Sequence, residues 1–179
     1  MRQIVMLRGI NLGSKRRVPM ADLRALLTEA GYEDVATYVQ SGNVVLTSPA
    51  TPAELERDTA ALISERFGFE VPVVARSRAE LARVVKHDPL GDVVDNPKRY
   101  QVSFLSAGLD AATSKRLRGL VTEPEAVAIK GREVYAWHPD GVARSKLWNA
   151  LAGSQLGVTA TARNWTTVTT LLAMAQEGG

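Results

Sequence analysis

Apolar positions along the chain switch between continuous, alternating and helical spacing, and their order predicts the architecture. Residues 4–7 form an uninterrupted apolar run and read as a buried strand. Met20, Leu23, Leu26, Leu27 and Ala30 recur at helical spacing, predicting a helix over 19–30 that Gly31 closes in a left-handed conformation. Residues 35–40 and 43–47 predict two strands joined at Ser41-Gly42. Thr51-Pro52-Ala53-Glu54 is a capping box with proline at the first helical position, and the helix it opens turns Leu55, Leu62, Ile63 and Phe67 inward. A further strand covers 71–75.

A second capping box, Ser77-Arg78-Ala79-Glu80, starts a short helix that ends at Val85, and the Pro- and Gly-punctuated stretch 87–97 reads as a linker. The earlier order then recurs. A strand at 100–105 precedes a helix capped by Asp110 and reaching residue 120. A hairpin at 127–130 and 133–137 leads to a helix from Arg144 or Ser145 to residue 156 and a strand at 159–163. A closing helix over 165–175 carries Trp165, Val168, Leu171, Leu172 and Ala175 on one stripe. This predicts an α+β chain of two tandem ferredoxin-like (βαββαβ) units with an extra linking helix and a C-terminal helix. The expected boundaries are 1–76 for the first unit, 77–98 for the linking helix and loop, and 99–179 for the second unit with its C-terminal helix.

Composition narrows the chemistry. With 179 residues the chain can bury a substantial core, and the absence of cysteine excludes disulfides, thiolate catalysis and Cys-based zinc sites. No apolar window approaches the roughly 18 residues of a membrane span, and the apolar run near Met1 is too short for a signal peptide. The expectation is a cytoplasmic protein without membrane association. A net charge of +3 is too small to indicate nucleic-acid binding by itself. Its distribution says more. The stretch up to Arg24 carries Arg2, Arg8, Lys15, Arg16, Arg17 and Arg24 against Asp22 alone, whereas 51–95 is rich in acids.

The basic residues gather where the first strand meets the first helix, in Arg8-Gly9-Ile10-Asn11-Leu12-Gly13-Ser14-Lys15-Arg16-Arg17. Glycine-rich backbone and a helix entrance expose N–H groups to an anion. The segment is not a P-loop: the glycine spacing is one residue short, and Arg16 stands where Ser or Thr should hold magnesium. Two other corners offer matching chemistry. Ser145-Lys146 lies at a second basic helix entrance, with Ser145 also suited to an N-cap role. Arg163-Asn164-Trp165 joins the last strand to the last helix, and a planar guanidinium there suits phosphate or carboxylate. A Ser145–Lys146 nucleophile pair is disfavoured, because adjacent helical residues point apart. His87 and His138 lack metal-ligand spacing, and the turn after His138 places it at the surface. No general acid–base pair stands out.

With these motifs together, the chain resembles a bacterial family known as domain of unknown function 1697 (DUF1697). The resemblance rests on Arg8-Gly9-Ile10-Asn11-Leu12-Gly13, Val18-Pro19-Met20 with Leu23, Gln40-Ser41-Gly42-Asn43-Val44, Ser145-Lys146, and Arg163-Asn164-Trp165 with Thr167. Ser14 stands where members carry a second glycine, and Asp140 where an asparagine-like residue is usual. The resemblance implies paired ferredoxin-like units and carries no established activity.

The expected function is binding of a phosphate-containing or other anionic ligand at one composite site. Arg8, Lys15, Lys146 and Arg163 would supply charge there, and Asn11, Ser41, Asn43, Ser145 and Asn164 hydrogen bonds. No cofactor or metal is expected. The alternatives are RNA or single-stranded DNA binding, with Tyr100, Phe104, Tyr135 and Trp137 as base-stacking candidates, a transferase-like enzyme acting on a phosphorylated small molecule, and a module that forms a homodimer through an open sheet edge.

Overall fold

The structure, a computed structural model, describes residues 1–178. It is a mixed α+β protein with two four-stranded antiparallel sheets and, among the described residues, six α-helices. The first half runs β1 (Arg2–Leu7), α1 (Met20–Glu29), β2 (Glu33–Tyr38), β3 (Asn43–Thr47), α2 (Pro52–Phe67), β4 (Val73–Ser77) and α3 (Arg78–His87). After a 3-10 turn at Pro97–Arg99, the second half runs β5 (Tyr100–Leu105), α4 (Ala111–Gly119), β6 (Ala126–Lys130), β7 (Glu133–Trp137), α5 (Lys146–Ala152), β8 (Ala160–Asn164) and α6 (Trp165–Glu177). The chain divides into two compact units. One comprises Met1–Arg83 together with the chain from Thr170 onward, the other Val84–Thr169, so the divisions fall inside α3 and inside α6.

In the first unit the strand order is β2-β3-β1-β4. β1 is an inner strand with partners on both edges, and Ile4 faces Val45 on one side and Arg76 on the other. Ile4, Val5 and Met6 are all fully buried, which is why the run shows no polar alternation. Val5, Leu7, Val44, Leu46, Val73 and Ala75 form the sheet side of a core whose helical side is Leu23 and Leu27 of α1 with Leu55 and Ile63 of α2. The helix ends follow their local chemistry. Thr51 and Glu54 complete the capping box at α2, with Thr51 N–H donating to Glu54 Oε2 at 2.7 Å and Glu54 N–H to Thr51 Oγ1 at 3.3 Å. Pro19 precedes α1 without any side-chain cap.

The second unit repeats the pairing as β6-β7-β5-β8. Val102 of β5 faces Tyr135 and Arg163, as Ile4 faces its two partners in the first sheet. Leu105, Val134, Ala136 and Ala160 pack against Leu117 of α4 and Leu147 and Leu151 of α5.

Three expectations shift locally. β4 starts at Val73 rather than Val71, because Pro72 has no N–H for the ladder. α5 stops at Ala152, with Gly153 as its C-cap, instead of continuing to residue 156. The β2–β3 connection is a four-residue turn over 39–42 rather than a two-residue one, and β2 is displaced accordingly, with a register shift between Glu33 and Ala36. That turn holds the β-branched Val39 at φ +52° and Gly42 at φ +79°. Gly42 presses on the end of β1: its carbonyl accepts Leu7 N–H at 2.9 Å, and a Cβ in its place would lie 2.6 Å from Leu7 Cβ. Gly42→Ala combines a disfavoured backbone angle with a clash against a rigid atom. It should lower unfolding free energy by about 2 kcal/mol or more, read from the urea midpoint.

Candidate functional site

Two polar clusters stand out, one in each unit. The first lies where β1 leaves its sheet. Asn11, at φ +56°, spends its whole side-chain amide on holding this corner together. Its Nδ2 donates to Val18 O at 2.9 Å and to Gln40 O at 2.8 Å, while its Oδ1 accepts Val18 N–H at 2.8 Å. Arg16 closes the loop base: Nε donates to Gly9 O at 3.0 Å, a terminal nitrogen to Glu70 O at 2.7 Å, and the guanidinium lies 5.2 Å from the Phe69 ring centre. Arg17 donates to Gly13 O at 3.2 Å. The loop is therefore tied at several points, not merely solvated.

Around this corner the expected residues separate into two kinds. Asn11 and the buried Asn43, whose Nδ2 donates to Tyr38 O at 3.2 Å, hold the loop and hairpin in shape. Lys15 and Ser41 are exposed, and Arg8 is half-buried. Beside them a cleft of about 530 Å³ is lined by Asn11, Arg17, Arg24 and Gln40 together with Pro19 and the first residues of α1, Met20 and Ala21. Arg24 donates to Thr37 Oγ1 at 2.5 Å. Arg24 and Gln40 are not among the binding residues expected from the sequence. The periodicity of Met20, Leu23 and Leu27 locates Arg24 beside the apolar stripe, but only the fold brings the hairpin turn to the helix entrance.

The second cluster joins the start of β6, the end of β7 and the entrance of α5. Ser145 Oγ donates to Glu125 Oε2 at 2.5 Å and accepts Trp148 N–H at 3.0 Å, the N-cap bond of α5. His138 Nδ1 lies 2.6 Å from the same Glu125 oxygen and 3.4 Å from Ser145 Oγ. His138 is fully buried, which corrects its reading as a surface turn residue: it continues the inward alternation of Val134 and Ala136 beyond the end of β7. An ionised carboxylate at Nδ1 favours the tautomer with its proton there. Nε2, buried without a hydrogen-bond partner, then carries a lone pair instead of an unsatisfied N–H. Burial alone would raise the Glu125 carboxyl, but hydrogen bonds from Ser145, His138 and Thr122 outweigh it and hold the group below the usual range. Glu125, His138 and Ser145 thus form one hydrogen-bonded group that spacing along the chain does not reveal.

The remaining candidates of this unit have definite places. Lys146, the first residue of α5, is exposed, whereas its neighbour Ser145 is buried. Asn164 Oδ1 accepts Thr167 N–H at 2.9 Å and so caps α6. Arg163 is buried, and one of its terminal nitrogens donates to Thr161 Oγ1 at 2.7 Å and Ala162 O at 2.9 Å. Desolvation lowers its pKa to about 10, so it stays cationic at neutral pH. Arg76 occupies the equivalent position of β4 and is fully buried. The signal for it was present as a repeat, Ala75-Arg76-Ser77 matching Ala162-Arg163-Asn164.

Tyr100, Phe104, Tyr135 and Trp137, the candidate base-stacking residues, are all buried, because the strand face that carries them is closed to solvent. Among the described residues no three histidine, aspartate or glutamate side chains gather as a metal site would require, and no helix is long and apolar enough to cross a membrane.

The Glu125 shift has a pH consequence. A carboxyl with a depressed folded-state pKa contributes stability that is present above its unfolded value, about 4.3 for a free glutamate, and is lost as pH falls through the lower folded value. Urea titrations over this acid window should show the wild type losing that increment. Glu125→Gln should have a flatter profile, and parallel profiles would contradict the assignment.

The fold has a solved counterpart, a conserved bacterial protein, SP0830, from Streptococcus pneumoniae. The two are 24% identical with a TM-score of 0.79, and the match covers 97% of this chain and 98% of that one. No curated protein matches the chain. A family model described as protein of unknown function (DUF1697) matches residues 1–135, a span holding the whole first unit's sheet, its glycine- and arginine-rich loop and the Gln40-to-Val44 turn, and the chain belongs to this family.

Proposed function

We propose that the protein binds a small phosphate-containing or otherwise anionic molecule at the entrance of α1, on a scaffold of two duplicated ferredoxin-like units. The scaffold reading draws support from the same βαββαβ order in both halves and from matching strand orders and registers. The binding reading rests on one observation: the 530 Å³ cleft where Arg17 and Arg24 flank a helix entrance that no side chain caps. The first-turn N–H groups of α1 lack intrahelical acceptors, and the helix dipole favours negative charge there. Each guanidinium has five donors, more than the internal hydrogen bonds of Arg17 and Arg24 consume. Asp22 in the same turn opposes an anion, but two cations outweigh it. Asn11 and Gln40 supply neutral polar lining, and Arg8 and Lys15 add positive field nearby. Nucleic-acid binding has less support, because the aromatic residues that would stack bases are buried.

A thermal-shift screen with inorganic phosphate, nucleotides, sugar phosphates and oligonucleotides tests this reading. At a hundredfold excess over Kd a ligand adds about 2.7 kcal/mol, which raises Tm by roughly 5–10 °C for a chain of this size. The shift should disappear in an Arg17→Ala/Arg24→Ala double variant. An equal shift in that variant would place the anion elsewhere, and no shift with any phosphate compound would end the proposal.

A further inference from the structure

The second cluster makes demands that a helix cap does not explain. Capping α5 requires only that Ser145 Oγ accept Trp148 N–H. The hydroxyl also gives its proton to a carboxylate, Glu125, which is itself held by a buried histidine. Glu125 and Ser145 line a cleft of 450 Å³, with His138 buried behind them. A nucleophile bonded to a base, and a base oriented by a third group beside a cavity, is the arrangement that covalent catalysis needs.

We propose that Ser145 is a nucleophile for acyl transfer from a small uncharged ester, with Glu125 as its proton acceptor and His138 as the residue that positions Glu125. The hydroxyl oxygen has two lone pairs, and the cap bond engages one of them. The other is available to the ester carbon. As the bond from Oγ to that carbon forms, the hydroxyl proton passes to Glu125 Oε2 and the carbonyl electron pair moves onto oxygen. Collapse of the tetrahedral species expels the alcohol, which leaves with the proton from Glu125. Water then attacks the acyl-serine, giving one proton to Glu125, which returns it to Ser145 Oγ as the acid departs. No metal, oxidant or reductant enters the balance.

The lining selects the substrate charge. Glu123, Glu125 and Asp140 face the cavity against Arg144 alone, so an anionic acyl donor is repelled and a neutral one admitted. Arg144, next to Ser145 in the chain, is the one cation of this lining that can respond to the developing oxyanion. This preference is opposite to that of the first-unit cleft, and the two proposals stand or fall separately.

The test uses the full chain with p-nitrophenyl acetate and a fluorophosphonate probe. The wild type should release a burst of about one equivalent of p-nitrophenolate, as an acyl-enzyme does. The fluorophosphonate adduct should map by peptide mass spectrometry to Ser145. Glu125→Gln should slow acylation by roughly 100-fold or more. In His138→Asn the adduct should stay on Ser145 while the acid limb of the pH–rate profile moves up, because Glu125 loses a hydrogen bond to its ionised form. A purely structural histidine would leave that limb in place. Mapping reads the wild-type protein, so a folding defect in a Ser145→Ala variant could not mask the answer. An absent adduct, an adduct on another residue, or a Glu125→Gln variant that reacts at the wild-type rate would each overturn the proposal.

Discussion

The arrangement depends on burying an inner strand on both faces while pairing it on both edges. β1 meets β3 and β4 through continuous registers, and Ile4, Val5 and Met6 are removed from solvent on both sides. On a strand so enclosed each unpaired polar group costs roughly 1–3 kcal/mol, and β1 carries one only near its start, where Gln3 Oε1 is buried without a partner. Polar chemistry is therefore driven to the strand ends. In the first unit it collects where β1 leaves the sheet, and Gly42 brings the hairpin turn against Leu7 there. In the second unit the cluster of Glu125, His138 and Ser145 gathers at the other end of the repeated pattern, beside the start of β6 and the end of β7.

Two of the polar residues buried on the strands are a matched pair. Arg76 and Arg163 occupy the same register position, opposite Ile4 and Val102, and both are buried. Burying a guanidinium is tolerable only when its donors find acceptors. Arg76 donates to Ala75 O at 2.8 Å, and Arg163 to Thr161 and Ala162. The same unusual solution recurs at the equivalent register position of each sheet. It also gives Arg163 a structural role that its place beside a helix entrance does not suggest.

The two clusters differ in how they prepare for a ligand. Around α1, Asn11 and Arg16 hold the backbone, leaving Lys15 and Arg17 at the surface of a fixed loop. Holding cationic side chains on a preformed frame reduces the ordering cost of binding an anion. At Ser145 the polar groups are instead turned toward one another and partly withdrawn from water. Short hydrogen bonds there link three elements, and the side-chain chemistry is set by neighbours far apart in the chain.

The local elements were legible because their signals are local. Apolar spacing marks β1, α1 and β5, capping boxes mark α2 and α3, and Asp110 announces α4. The loop from Arg8 to Arg17 stood out through its glycines and cations. Less visible were the four-residue turn at 39–42, set by contact with Leu7 and Ile10, and Arg24, which reaches the cleft only once β2 lies beside α1. Glu125 and His138 carried no motif, since 13 residues separate them and their partnership exists only across the β6–β7 hairpin and α5. Local patterning suffices for the order of strands and helices, the capped helix starts, the recurring element order and the family, because each depends on neighbours within a few turns of chain or on motifs. Tertiary structure alone decided which polar groups are buried, which oxygen Ser145 and His138 share, and where clefts open. Those follow from distances between residues remote in sequence, which no local periodicity encodes.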